Sequence, residues 1–186
     1  KHVEANGIEF LLGDTVECFA ENAHNAANIK ESRYIARMKS GKSVEFDVLV
    51  LAVGVRANTS LVKDIGGEVG RGITVNDRME TSVPDVYAAG DCTEGTDISC
   101  GQKKVLALLP NAYMQGHTAG INMAGGNAVF DKAIPMNSIG LFGLHAMTAG
   151  SYFGDEDGCE CYEEKTEGKL KRLFVKDGFL KGFILI

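Results

Sequence analysis

The residue pair best placed to do chemistry in this sequence is Gly90-Asp91. It follows Val86-Tyr87-Ala88-Ala89, a short apolar run predicted as a buried strand, so a glycine and a carboxylate stand where that strand emerges. In open α/β sheets, ligands sit beyond the carboxyl ends of the strands. Glycine lets a ligand approach the backbone, and a carboxylate there accepts hydrogen bonds from sugar-like hydroxyls. Taken alone, a Gly-Asp pair more often caps a loop or helix, so the weight falls on the string around it. The five cysteines offer no rival arrangement. They include no Cys-x-x-Cys, which removes a thioredoxin-type dithiol and a zinc ribbon. Cys92 adjoins the Gly-Asp pair, and its thiol is expected to be inert. Cys159 and Cys161 alternate along a predicted strand, face the same way and are expected to stay unpaired. Cys100 sits beside Gly101 in a predicted loop, reactive only if exposed. His117 and His145 read as surface or packing residues. No catalytic residue and no metal ligand is assigned.

The elements that must carry these residues follow from pattern. Residues 8–12, 15–19, 32–38 and 43–47 read as strands of a β-meander, with a solvated loop at 21–30 and a tight turn at Ser40-Gly41-Lys42. Residues 48–53 are continuously apolar, the mark of an inner strand in a parallel sheet. A helix at 60–65, N-capped by Thr59 or Ser60, stops at Gly66-Gly67, and 73–75 is a strand. After a predicted loop at 93–109, a helix starts near Pro110 and ends at Gly125-Gly126. Its Ala112, Gly116, Ala119, Gly120 and Met123 share one nearly bare face, predicted to admit a close neighbour. Three strands at 159–165, 169–175 and 179–186 close the sequence, joined by turns at Glu167-Gly168 and Asp177-Gly178. Between 154 and 168 the acids dominate, as in a solvated loop and edge strand.

The whole chain has 186 residues, 45% of them hydrophobic and 24% charged, the balance of a globular α/β protein. Its 19 Lys+Arg against 25 Asp+Glu give a net charge of −6, which offers nothing to a phosphate backbone. Neither a nucleic-acid partner nor a membrane span is expected. Odd, scattered cysteines suit reduced thiols, and with no signal peptide after Lys1 a cytoplasmic location is expected.

The string Thr81-Ser82-Val83-Pro84-Asp85-Val86-Tyr87-Ala88-Ala89-Gly90-Asp91 resembles the second flavin fingerprint of the FAD-dependent pyridine nucleotide–disulfide oxidoreductases. Upstream, Val50-Leu51-Ala52-Val53-Gly54-Val55-Arg56-Ala57-Asn58 is similar to the family's crossover segment, with Val53 for the usual Thr and Ala57 for the usual Pro. Gly72-Ile73-Thr74-Val75-Asn76 fits the strand before the fingerprint. The resemblance implies an FAD/NAD(P)-binding Rossmann-like domain with a β-meander and a truncated α+β C-terminal domain. It implies FAD as cofactor, with Asp91 on a ribityl hydroxyl and Gly54 and Gly90 admitting the cofactor backbone. Leu109, Pro110, Asn111 and Ala112, at the helix N-terminus, would lie nearest the pyrimidine end of the flavin, Asn111 and Ala112 polarising its carbonyl side.

No His-x4-Glu is present, and residues 111–125 and 137–140 resemble NADH oxidases, rubredoxin reductases and the flavin part of nitrite reductase large subunits. With no Gly-x-Gly-x-x-Gly, both nucleotide turns are expected upstream. The chain then reads as a C-terminal fragment: 1–47 the tail of an NAD(P)-binding domain, 48–127 the returning part of an FAD domain, 128–186 the start of an interface domain. The intact enzyme would pass electrons from NAD(P)H through FAD to an acceptor such as a small redox protein. Its partners would be the upstream part of its own chain and, through the third domain, a second copy. The fragment alone would be inactive. The alternative is a non-catalytic flavin-binding regulator or an interaction domain of the same fold.

Overall fold

The structure, a computed structural model, describes residues 1–21, 34–152 and 158–186. It divides into two compact units, Lys1–Gly54 and Val55–Ile186.

The first unit holds a short helix α1 (His2–Ala5) and strands β1 (Val16–Glu21), β2 (Tyr34–Met38) and β3 (Ser43–Phe46), an antiparallel meander in the order β1-β2-β3. Gly41, at φ 86, turns the second hairpin. Ala36 and Met38 on the central strand are buried, and Phe46 packs edge-on against Phe19 at 5.9 Å and stacks on Tyr34 at 5.6 Å. The Asp14 carboxylate accepts hydrogen bonds from the Ser40 hydroxyl and the Thr15 and Ser40 amides. The Ser40 hydroxyl first, then the Thr15 amide, hold its pKa below the ordinary aspartate value.

Two expected strands in this unit are absent. Residues 8–12 form no ladder, and Phe10 and Leu12 are exposed. Residues 48–53 also lie outside any strand, with Val48 80%, Val50 79% and Val53 90% exposed. Apolar β-rich sequence makes a strand only when neighbours take up its amides and carbonyls, and no described strand runs beside either segment. The predicted loop at 21–30 lies almost wholly outside the described residues.

The second unit begins with α2 (Ser60–Asp64), where the Asn58 side chain accepts from the Ser60 amide and hydroxyl at 3.3 and 2.8 Å. Thr59 is the N-cap residue but makes no side-chain cap bond. Then β4 (Ile73–Thr74) pairs parallel with β5 (Thr93–Asp97), and β5 pairs antiparallel with β6 (Gln102–Lys104). The stretch 93–109, expected as a loop, is therefore partly a hairpin. Val62, Ile73, Val75, Met79, Ala119, Phe130 and Ala133 form the core. Helix α3 (Leu109–Met123) packs on it, with Pro110 in its first turn.

The final sheet is antiparallel in the order β7-β8-β11-β10-β9, from β7 (Met136–Leu141), β8 (Leu144–Gly150), β9 (Glu160–Thr166), β10 (Lys169–Lys176) and β11 (Phe179–Leu185). The last three match the predicted strands closely. β9 is the expected acidic edge, exposed along its length. The β7–β8 hairpin is unpredicted, because Met136-Asn137-Ser138-Ile139-Gly140 lacks a clear alternation. Gly182 allows β11 to meet β8: a Cβ there would stand 2.1 Å from the Ser151 carbonyl oxygen.

Candidate functional site

The site is built on a backbone that turns twice. Asp85, at φ 62 after Pro84, reverses the chain, so that Thr81 N–H donates to Val86 O and Ala88 N–H to Met79 O. Val86-Tyr87-Ala88-Ala89 is therefore not the expected sheet strand. It forms an isolated antiparallel bridge, Glu80 to Tyr87, because its backbone groups are taken up by the chain just before it. The four side chains nevertheless pack half-buried on the core, which fixes where the next residues emerge. Beside this bridge, Glu80 accepts from Asn76 Nδ2 at 2.7 Å and Arg78 Nε at 3.1 Å. Those bonds, the Asn76 one foremost, lower its pKa below the usual glutamate value.

The second turn is residues 90–93. Gly90 has φ 87, and a Cβ on it would reach van der Waals distance, 3.7 Å, from Ala112 Cβ in the first turns of α3. Gly90 N–H donates to Gln115 Oε1 at 2.7 Å, and Thr93 N–H returns to Gly90 O at 3.0 Å. The Thr93 hydroxyl has one proton for two acceptors, Gly90 O at 2.8 Å and Gln115 Oε1 at 3.0 Å. Asp91 projects from this turn. It is exposed, and among the described residues its carboxylate has no hydrogen-bond or ion-pair partner.

Helix α3 presents a different face from the one expected. Gly116, Gly120 and Met123 are exposed, and the buried stripe is Asn111, Gln115, Thr118 and Asn122, with Ala119 common to both readings. The polar stripe is buried because loop backbone needs partners there. Asn122 donates to Arg78 O and Ala128 O at 2.8 and 2.9 Å and accepts from Ala128 N–H at 2.7 Å. Asn111 Nδ2 donates to Ile134 O at 3.1 Å, leaving its buried Oδ1 without a partner. Ala112 N–H is spent on Leu108 O at 3.0 Å, whereas the amides of Leu109 and Asn111 have no acceptor among the described residues. Leu109 is 83% exposed at the helix entrance.

Of the residues singled out from sequence, Gly90, Asp91 and Ala112 thus meet around one turn, with Leu109 and Asn111 on the same helix end. Asn111 offers its backbone there, its side chain being committed to Ile134. Gly54 belongs to the first unit, where it has φ 92 and open space around it. Gln115 and Thr93 were not singled out, although Asn111, Gln115, Thr118 and Asn122 at i, i+4, i+7 and i+11 form a legible polar stripe.

The described cysteines are all free. Cys92 Sγ lies 3.5 Å from Ala89 O, and Cys100 Sγ, half-buried, lies 3.4 Å from the buried Asp97 carboxylate, which also binds Lys104 Nζ at 3.4 Å. Cys100, then Asp97, raise the Lys104 pKa against the opposing effect of burial. Among the described residues there is no cluster of three or more metal-ligating side chains, and no helix is long and apolar enough to cross a membrane.

Residues 1–116 match the family described as Pyridine nucleotide-disulphide oxidoreductase, a span that contains the meander, the Gly-Asp turn and the first half of α3. The chain belongs to this family. Curated relatives agree: the chain is 37% identical over 149 residues to the NADH-dependent phenylglyoxylate dehydrogenase subunit epsilon of Aromatoleum evansii, covering 78% of this chain and 35% of that one. It is 34% identical over 131 residues to an NADH oxidase of Methanocaldococcus jannaschii, covering 70% and 27%. Among solved structures, a FAD-dependent pyridine nucleotide-disulphide oxidoreductase from Desulfovibrio vulgaris matches with a TM-score of 0.78 at 26% identity, over 93% of this chain and 43% of that one. The chain thus spans about a third of the length of the curated relatives it matches. The α/β fold of this chain agrees with the one its sequence implied. FAD and a pyridine nucleotide, the cofactors expected from sequence, are those in the names of the family and of the Desulfovibrio neighbour.

Proposed function

We propose that the full-length protein is a flavoprotein oxidoreductase carrying electrons from NAD(P)H through FAD to an acceptor, and that the turn at 90–93 is part of its flavin site. The observation that carries this reading is an exposed carboxylate, Asp91, without a partner among the described residues, directly after a glycine seated against the first turns of a long helix. The residues suit the group. Asp91 accepts hydrogen bonds from ribityl hydroxyls, and Gly90, bare of a side chain, admits the cofactor chain beside the Ala112 methyl. Leu109 and Asn111 supply the unspent amides at the positive end of α3, suited to negative charge on the ring. Ala112 contributes its small side chain alone, because its amide is used within the helix. FAD, when bound, supplies hydride and single-electron chemistry that no side chain of this chain can perform.

The finer parts of the proposal are these. Residues 1–47, 48–127 and 128–186 belong to an NAD(P)-binding, an FAD-binding and an interface domain, the last serving a homodimer. The acceptor is a small redox protein, as the names of relatives such as an NADH-rubredoxin oxidoreductase suggest. The 186-residue chain alone is colourless and inactive. Purified full-length protein tests the whole: a flavin spectrum bleached anaerobically by NADH or NADPH is expected. Protein without flavin overturns the reading, and flavin that no nucleotide reduces makes it a non-catalytic binder.

A further inference from the structure

We infer that Gln115 is the positioning residue of this site, fixing where the Asp91 carboxylate points by holding the turn on which it stands. The inference rests on the flavin reading above. Asp91 has no side-chain partner among the described residues to orient it, so its direction is set through the backbone alone. That backbone is gripped on both sides. Gln115 Oε1 accepts from Gly90 N–H, just before Asp91, at 2.7 Å and stands 3.0 Å from the Thr93 hydroxyl, two residues after it. Gln115 and Thr93 are 4% and 2% exposed, so solvent cannot replace a lost bond. Gln115 itself is carried on a rigid helix of 15 residues, whose Asn111 and Asn122 are tied to Ile134, Arg78 and Ala128. The acceptor is therefore fixed in space, and Gly90, at φ 87, is held to it in a conformation that aims the next residue outward.

A packing residue and a positioning residue differ in how they couple to Asp91. If Gln115 acts through Asp91, its removal weakens FAD only while Asp91 is present. The test is FAD binding to full-length protein for Gln115→Met, Asp91→Ala and the double variant, with apoprotein melting recorded in parallel. Gln115→Met is expected to weaken FAD about tenfold, the worth of one part-buried hydrogen bond. In the Asp91→Ala background the same change should cost less than about twofold. Gln115→Glu, which keeps an acceptor at Oε1, should restore binding to within about threefold of wild type. Additive losses, or no rescue by Gln115→Glu in a folded protein, overturn the inference. Should Gln115→Met fail to fold, Thr93→Val removes the second donor and is put through the same cycle, with an expected weakening of about threefold that vanishes without Asp91. A wild-type protein that holds no FAD defeats the flavin reading itself. Wild type that holds FAD indifferently to Gln115 and Thr93 defeats only the positioning role.

Discussion

Residues 169–185 and residues 48–53 are both rich in apolar and β-forming side chains, yet the first make β10 and β11 while the second pair with no described strand. The difference lies in where the partners come from. β9 meets β10 across Glu167-Gly168, and β10 meets β11 across Asp177-Gly178, where both turn residues adopt the left-handed conformation that a tight hairpin requires. Each strand brings its neighbour with it. A strand apolar on both faces, as 48–53 would be, needs neighbours on two sides and helices on two faces, all supplied from elsewhere in a chain. The segment at 86–89 lies between these cases: it finds a partner, but the nearest one, and bridges back to Glu80.

This contrast can be broken from either side. The largest effect is expected at Gly182, where a methyl group would strike the Ser151 and Ala149 carbonyl oxygens. Gly182→Ala should destabilise the chain by about 3 kcal/mol in urea unfolding, since the β8–β11 junction joins the hairpins into one sheet. Asn122→Leu comes next, at about 2 kcal/mol, because it strands the Ala128 amide and two loop carbonyls that no other described group serves.

A smaller effect is expected from pH. Glu80 has a pKa lowered by Asn76 first and Arg78 second, so its contribution is present above the unfolded glutamate value and is lost as pH falls through the lower folded value. Urea midpoints should therefore fall less steeply on acidification in Glu80→Gln than in wild type. An identical acid limb in the two proteins would remove that role. The smallest effect sharpens the comparison most. Val50→Asp should shift the unfolding free energy of the 186-residue chain by less than about 0.5 kcal/mol, as for any exposed position. A large loss would mean that the run at 48–53 is already paired.

How far the sequence could be read follows the same division. The terminal strands were legible because turn signals and partner strands lie within a few residues of each other. Helix α3 was legible in its limits, through Pro110 and Gly125, but its orientation was not. Ala112, Gly116 and Gly120 looked like a seat for a neighbour, whereas the loops at Arg78, Ala128 and Ile134 recruit the polar side chains instead. Periodicity reports which residues share a face and leaves open which face is buried. The exposed place of Asp91 after Gly90 was legible because its string is local. Gln115 was not, because its role depends on Gly90 N–H, 25 positions away.

The central claim is that Asp91 holds the flavin arm, and FAD affinity of full-length Asp91→Ala tests it most directly, with Asp64→Ala, at an exposed carboxylate of α2, as the control. The account predicts a loss of about tenfold or more for Asp91→Ala, as expected when a charged hydrogen-bond acceptor is removed, with flavin lost on gel filtration. Retention of flavin at wild-type affinity and stoichiometry by Asp91→Ala would contradict it.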